Sequence, residues 1–139
     1  MTDRQARELN PLSLAFLGDG LFTFFVRDQL INRSNEKAGS LHVKAKRYVS
    51  AGAQAKMLDA VAPALTEDEA DIARRARNTN NATRAKNAAP SDYKKATALE
   101  AVLGYLHLTE RTERLEWLLA RLMEVGGTDG KGAGENRRT

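Results

Sequence analysis

Leu12-Ser13-Leu14-Ala15-Phe16-Leu17-Gly18-Asp19-Gly20-Leu21-Phe22-Thr23-Phe24-Phe25-Val26 holds all four phenylalanines of the chain and a single acid, Asp19, in their midst. An ionised carboxylate among apolar groups is costly unless it is partnered, neutralised, metal-bound or exposed. Asp19 is therefore the first candidate for function. Gly18-Asp19-Gly20 is compatible with a hairpin turn between strands, or with a helix that begins at Gly18 and is capped by the acid. The apolar flanks lack a period of two, however, Pro11 suits a first helical turn, and apart from the two glycines no breaker follows before Asn32. The pattern predicts one helix over about 12–32, apolar on most sides, at the centre of the fold or at a subunit interface.

A chain of 139 residues is the size of one domain, and a domain this size buries roughly two thirds of its unfolded surface without needing staples. The absence of cysteine excludes a disulfide framework, a thiolate zinc site and a cysteine nucleophile. It also fits a reducing compartment. Met1 to Glu8 is polar and leads into no signal-type segment, and the apolar run at 12–26 is too short and too acidic to span a membrane. A cytoplasmic location is expected. The net charge of +4 is unevenly placed: between Arg74 and Lys95 the chain carries Arg74, Arg75, Arg77, Arg84, Lys86, Lys94 and Lys95 against Asp92 alone. That block suits a phosphate backbone, and it equally suits a solvated face with cations at a helix C-terminus.

Residues 1–10 read as an irregular start. A second helix is expected over about 41–62, where Leu41, Ala45, Tyr48, Gly52 and Ala55 share a helical spacing, with Lys44 and Arg47 one turn apart on another side and Pro63 as the stop. Thr66 and Glu69 form a capping-box pattern before a short helix to about Arg77. Residues 78–92 lack an apolar period and hold many turn formers, so a loop touching phosphates is expected there. A fourth helix over about 93–108 sets one acid, Glu100, inside an apolar run, with Gly104 clearing space on the same face. The last helix, about 110–125, is amphipathic through Leu115, Leu118, Leu119, Leu122 and Val125, with Trp117 packing and Gly126-Gly127 as its stop. The expected architecture is an all-α domain of about five helices over 1–125, followed by a disordered, polar, Gly-rich tail over 126–139.

Two carboxylates in separate apolar helices could share a divalent cation that neutralises them and serves attack on phosphorus. Nothing in the spacing brings Asp19 and Glu100 together, and each reads as well as a partly exposed acid at a helix edge.

Leu14-Ala15-Phe16-Leu17-Gly18-Asp19-Gly20-Leu21 resembles the signature helix of the ribonuclease III catalytic domain, and Thr97-Ala98-Leu99-Glu100-Ala101-Val102-Leu103-Gly104-Tyr105-Leu106 resembles that family's second acidic helix. Tyr48-Val49-Ser50-Ala51-Gly52-Ala53-Gln54-Ala55 and Arg75-Ala76-Arg77-Asn78 are similar to the short bacterial branch, Mini-ribonuclease III, which has no double-stranded-RNA-binding domain. The likeness runs in order over about 9–125. It implies an all-helical homodimer that hydrolyses double-stranded RNA with Mg2+ to 5′-phosphate and 3′-hydroxyl ends with a short 3′ overhang, trimming the ends of precursor 23S rRNA. Asp19 and Glu100 become the catalytic, metal-binding pair. Larger members of the family carry further acids at the positions of Ala15 and Thr97, so water, RNA phosphates or the Thr97 hydroxyl must complete the coordination here. Lys44, Arg47, Arg74, Arg77, Asn78, Arg84, Lys86 and Lys95 are the expected RNA-binding residues, and Phe16 is either a dimer contact or ordinary core. The rival readings are a helical dimer of the same type that grips RNA or ribosomes without cutting, and a protein-interaction module whose basic loop is merely solvated.

Overall fold

The computed structural model describes residues 1–33, 35–79 and 89–138, with side chains through Thr128. Its helices are α1 (Asp3–Glu8), α2 (Pro11–Arg33), α3 (Ala38–Val49), α4 (Ala51–Val61), α5 (Glu67–Asn78), α6 (Pro90–Leu108) and α7 (Thr112–Arg138), with one 3-10 turn at Ala62–Ala64. Among the described residues there is no strand, which removes the hairpin reading of Gly18-Asp19-Gly20.

Helix α6 is the axis of the fold. It is buried almost all round from Ala96 to Leu106 and packs chiefly against α2, α4 and α5. The approach of α2 is set by two glycines. A Cβ on Gly18 would lie 1.7 Å from the backbone carbonyl oxygen of Glu100, and one on Gly104 would lie 2.1 Å from that of Leu14. The helices thus cross backbone to backbone at two points four residues apart on each chain segment, a contact only glycine permits.

Opposite charges clasp the start of α5 against α1 and α7. Arg7 on α1 donates to Asp3 at 2.9 Å, to Asp68 at 2.8 Å and to Asp71 at 2.7 Å. The guanidinium groups of Arg7 and Arg111 lie 5.6 and 5.0 Å from the centre of the buried Tyr105 ring, while its hydroxyl donates to Asp3. On α5 the Thr66 capping box is present, and its Glu69, only 1% exposed, also accepts from Arg114 on α7 at 2.8 and 2.9 Å.

The structure corrects the sequence reading in three places. Helix α1 replaces the irregular start, and Thr2 and Gln5 form its capping box, a pattern legible in Thr2-Asp3-Arg4-Gln5. The single helix expected over 41–62 is two, because Ser50 is extended and its hydroxyl accepts from the Ala53 N–H to start α4 afresh. With these, and with the fourth helix starting at Pro90, the described residues hold seven helices rather than five. Helix α7 does not stop at Gly126-Gly127: the missing Cβ of Gly126 lets it lie against Tyr48 and Met57, and its backbone stays helical to Arg138. Helix α2, apolar on most sides as expected, divides its large side chains between the core and the outside. Phe22 is fully enclosed, but Phe16 is 84% and Phe24 73% exposed, and Trp117 on α7 is also partly exposed under a stacked Arg114.

Gly18→Ala and Gly104→Ala are each expected to lower unfolding free energy by about 2 kcal/mol or more through overpacking, outweighing a helix-propensity gain of at most about 1 kcal/mol. Gly39→Ala, in open space at the start of α3, is expected to raise it slightly. Urea unfolding of the three variants measures the contrast; a stable Gly18→Ala protein contradicts the crossing.

Candidate active site

The glycine contact decides where the acids fall. Asp19 follows Gly18 on α2, and Glu100 is the residue whose backbone Gly18 touches. The two carboxyls come within hydrogen-bonding reach of each other, Asp19 at the exposed rim and Glu100 set deeper. Burial, then the adjacent Asp19 charge, pushes the Glu100 carboxyl up to about 8. Two carboxylates this close cannot both ionise cheaply, so without a cation the pair keeps a proton.

A third residue reaches the pair, and it was not among the expected site residues. Gln54 on α4 is 2% exposed, and its amide donates to Glu100 Oε2 at 3.1 Å and to the Val49 carbonyl at 3.0 Å. Both partners are acceptors, so the amide must present its NH2 group to them. Its Oε1 is then the buried side-chain atom without a hydrogen-bond partner among the described residues, an arrangement that costs about 1–3 kcal/mol when nothing fills it. The signal in the sequence was slight: one amide in a run of small residues, Ala51-Gly52-Ala53-Gln54-Ala55.

The pair suits a small hard cation, since it offers carboxylate oxygens. Among the described residues no cluster of three or more His, Cys, Asp or Glu side chains exists that could hold a metal. Ala15 and Thr97 stand where larger members of the family carry acids. Both are buried, and the Thr97 hydroxyl donates to the Tyr93 carbonyl of its own helix at 3.0 Å.

The expected RNA-binding residues separate by their present partners. Arg47, Arg77 and Asn78 are exposed. Lys44 pairs with Glu36, Arg74 with Asp71, and Lys95 with Asp59 at 3.0 Å. Arg77, Asn78 and Arg74 line an open cavity of about 370 Å³ between α4, α5 and α6, floored by Leu58, Leu65 and Ala73. Arg84 and Lys86 lie outside the described residues. Arg75 is committed to the fold, donating to the Arg7 carbonyl at 2.9 Å.

Residues 12–111 match the family model described as Ribonuclease III domain. Among curated proteins, the chain is 46% identical to Mini-ribonuclease 3 of Symbiobacterium thermophilum over 80% of this chain and 85% of that one. It is 45% identical to Mini-ribonuclease 3 of Streptococcus pneumoniae over 81% and 89%. With Mini-ribonuclease 3 of Desulfitobacterium hafniense it shares 39% identity over 97% and 87%. Among solved structures, a Fusobacterium nucleatum protein determined by X-ray crystallography superposes with a TM-score of 0.79 at 27% identity, covering 89% of this chain and 98% of that one.

The coupled acids set a pH dependence. The folded Glu100 carboxyl is raised from 4.5 to about 8, so its contribution to stability is full below about 4.5 and is lost as pH rises through about 8. In metal-free buffer the melting temperature is expected to fall between about pH 5 and 8.5, and Glu100→Gln is expected to flatten that slope. Calorimetry at a series of pH values decides it; equal slopes would mean that the Glu100 carboxyl is not raised in the fold.

Proposed function

The chain belongs to the ribonuclease III family, in its Mini-ribonuclease 3 branch, and from that premise we propose how its residues act. It is an endoribonuclease of the type that acts on double-stranded RNA. Asp19 and Glu100 hold Mg2+ and form the catalytic pair. The observation that carries this reading is the meeting of the two carboxyls at the α2–α6 crossing, where a divalent cation lets both ionise. Bound there, the ion supplies charge neutralisation and Lewis-acid assistance to phosphodiester hydrolysis. Asp19, at the rim, faces incoming RNA, while Glu100 anchors from below. With two protein carboxylates, water and RNA phosphate oxygens complete the coordination, as magnesium tolerates.

The products are 5′-phosphate and 3′-hydroxyl ends with a short 3′ overhang, and the natural substrate is the end region of precursor 23S rRNA. Arg47, Arg77 and Asn78, being exposed, take phosphates directly. Lys44, Arg74 and Lys95 exchange a protein carboxylate for phosphate or add only to the field, and Arg84 and Lys86 join them. Duplex RNA is read mostly by backbone and shape, so such contacts give grip with little sequence choice.

The active form is a homodimer. Phe16, Phe24 and Ile31 are exposed along one side of α2, a stripe of large apolar groups of the kind that marks an interface. Phe16 is its anchor, and an isologous pairing of α2 helices places two catalytic pairs in one particle. No described helix is long and apolar enough to cross a membrane; the cytoplasm is the proposed location.

Asp19→Asn and Glu100→Gln are each expected to lower cleavage of a long RNA duplex in magnesium by a factor of about 10³ or more while RNA affinity changes little. Wild-type cleavage stopping on chelation and returning with magnesium completes the test. Salt-sensitive binding without cleavage by the wild-type chain would select the non-catalytic rival. Phe16→Asp is expected to give a monomer in sedimentation with duplex cleavage lost; a fully active monomer contradicts the dimer.

A further inference from the structure

We propose that Gln54 is the positioning residue of the site: its buried amide, clamped between the Val49 carbonyl and Glu100, holds the Glu100 carboxylate in place to take a divalent cation beside Asp19. The proposal rests on the reading of Asp19 and Glu100 as cation ligands.

Three observations carry it. First, the anchor is built by the chain break. Helix α3 ends at Val49 and α4 starts afresh after Ser50, so the Val49 carbonyl lacks its place in a continuing helix and takes one Gln54 proton at 3.0 Å. Gln54, near the start of α4, then has its other proton aimed at Glu100 Oε2 at 3.1 Å. An unbroken helix over 41–62 would spend the Val49 carbonyl on its own ladder and leave the amide unclamped.

Second, the amide serves the carboxylate at its own expense. Its orientation is dictated by two acceptors, and its carbonyl Oε1 is left buried without a partner among the described residues. A side chain placed for stability alone would not leave a buried acceptor empty. Third, a glutamate stem has three rotatable bonds, and a donor on one carboxylate oxygen removes that freedom before a cation arrives. Outer groups that orient ligands in this way typically change metal affinity or activity by about 10–100-fold.

The test uses the full chain, Mn2+ as probe and two substitutions. Gln54→Met keeps length and volume without polar atoms, and Gln54→Asn keeps the amide but is one methylene too short to bridge Val49 and Glu100. Mn2+ affinity without RNA, read by electron paramagnetic resonance on the folded fraction, is expected to fall about tenfold or more in both. The kcat for duplex cleavage should fall with it and KM for RNA should hold, whatever the change in metal-free melting temperature. Equal Mn2+ affinities in wild type and variants, or no Mn2+ binding by the wild-type chain, overturn the proposal. So does a loss of thermal stability with Mn2+ affinity of the folded fraction unchanged, which makes Gln54 structural. If the wild-type chain leaves duplex RNA uncut while Mn2+ binding still depends on Gln54, the endonuclease reading fails and the positioning role stands.

Discussion

The bare contact between two helix backbones governs this molecule. Gly18 meets Glu100 and Gly104 meets Leu14 with no side chain between, and that closeness is what brings an acid from each helix to one place. A crossing held apart by even one methyl group at each contact would move the acids away from each other, because helix axes with ordinary side chains between them stand about 8–10 Å apart. Fold and site therefore share one constraint. The glycines cost helix propensity, about 1 kcal/mol each, and the surrounding burial of α6 offsets it.

Around that crossing the chain separates its polar interactions by role. At one end of the bundle, Arg7, Arg111 and Tyr105 gather Asp3, Asp68 and Asp71 into a satisfied network. Arginine pairing holds the Asp71 carboxyl below its usual range against the cost of burial, and Glu69 is lowered likewise by Arg114. At the crossing the logic reverses: two acids meet, burial and the neighbouring Asp19 act on Glu100 with no arginine or lysine among the described residues offsetting them, and its carboxyl is raised instead. The first arrangement closes the structure on itself. The second leaves a charge that a retained proton or a cation must balance, which sets it apart from a structural ion pair.

Helix α2 therefore has three faces with three tasks. Leu14, Phe22 and Val26 enter the core, Gly18 fits against α6, and Phe16, Phe24 and Ile31 stay on the outside. The helix leaves part of its apolar surface exposed, and that part lies on one side.

Much of this was legible in the sequence. The all-helical class, the ends of α2, the Thr66 capping box, the clearing role of Gly104 and the suspicion attached to Asp19 and Glu100 follow from local chemistry: periodicity, capping pairs, and the cost of a lone acid among apolar residues. The matched segments also carried the family likeness. What the chain alone left open depended on partners distant in sequence. Gln54 gains meaning only from Glu100, forty-six positions away, and Phe16 and Phe22, alike in type, part company because Phe22 is enclosed in the core and Phe16 faces out. A single acid in a helix reports that something must balance it. Which second acid stands beside it, and which amide holds that acid still, is decided by how closely two backbones pack.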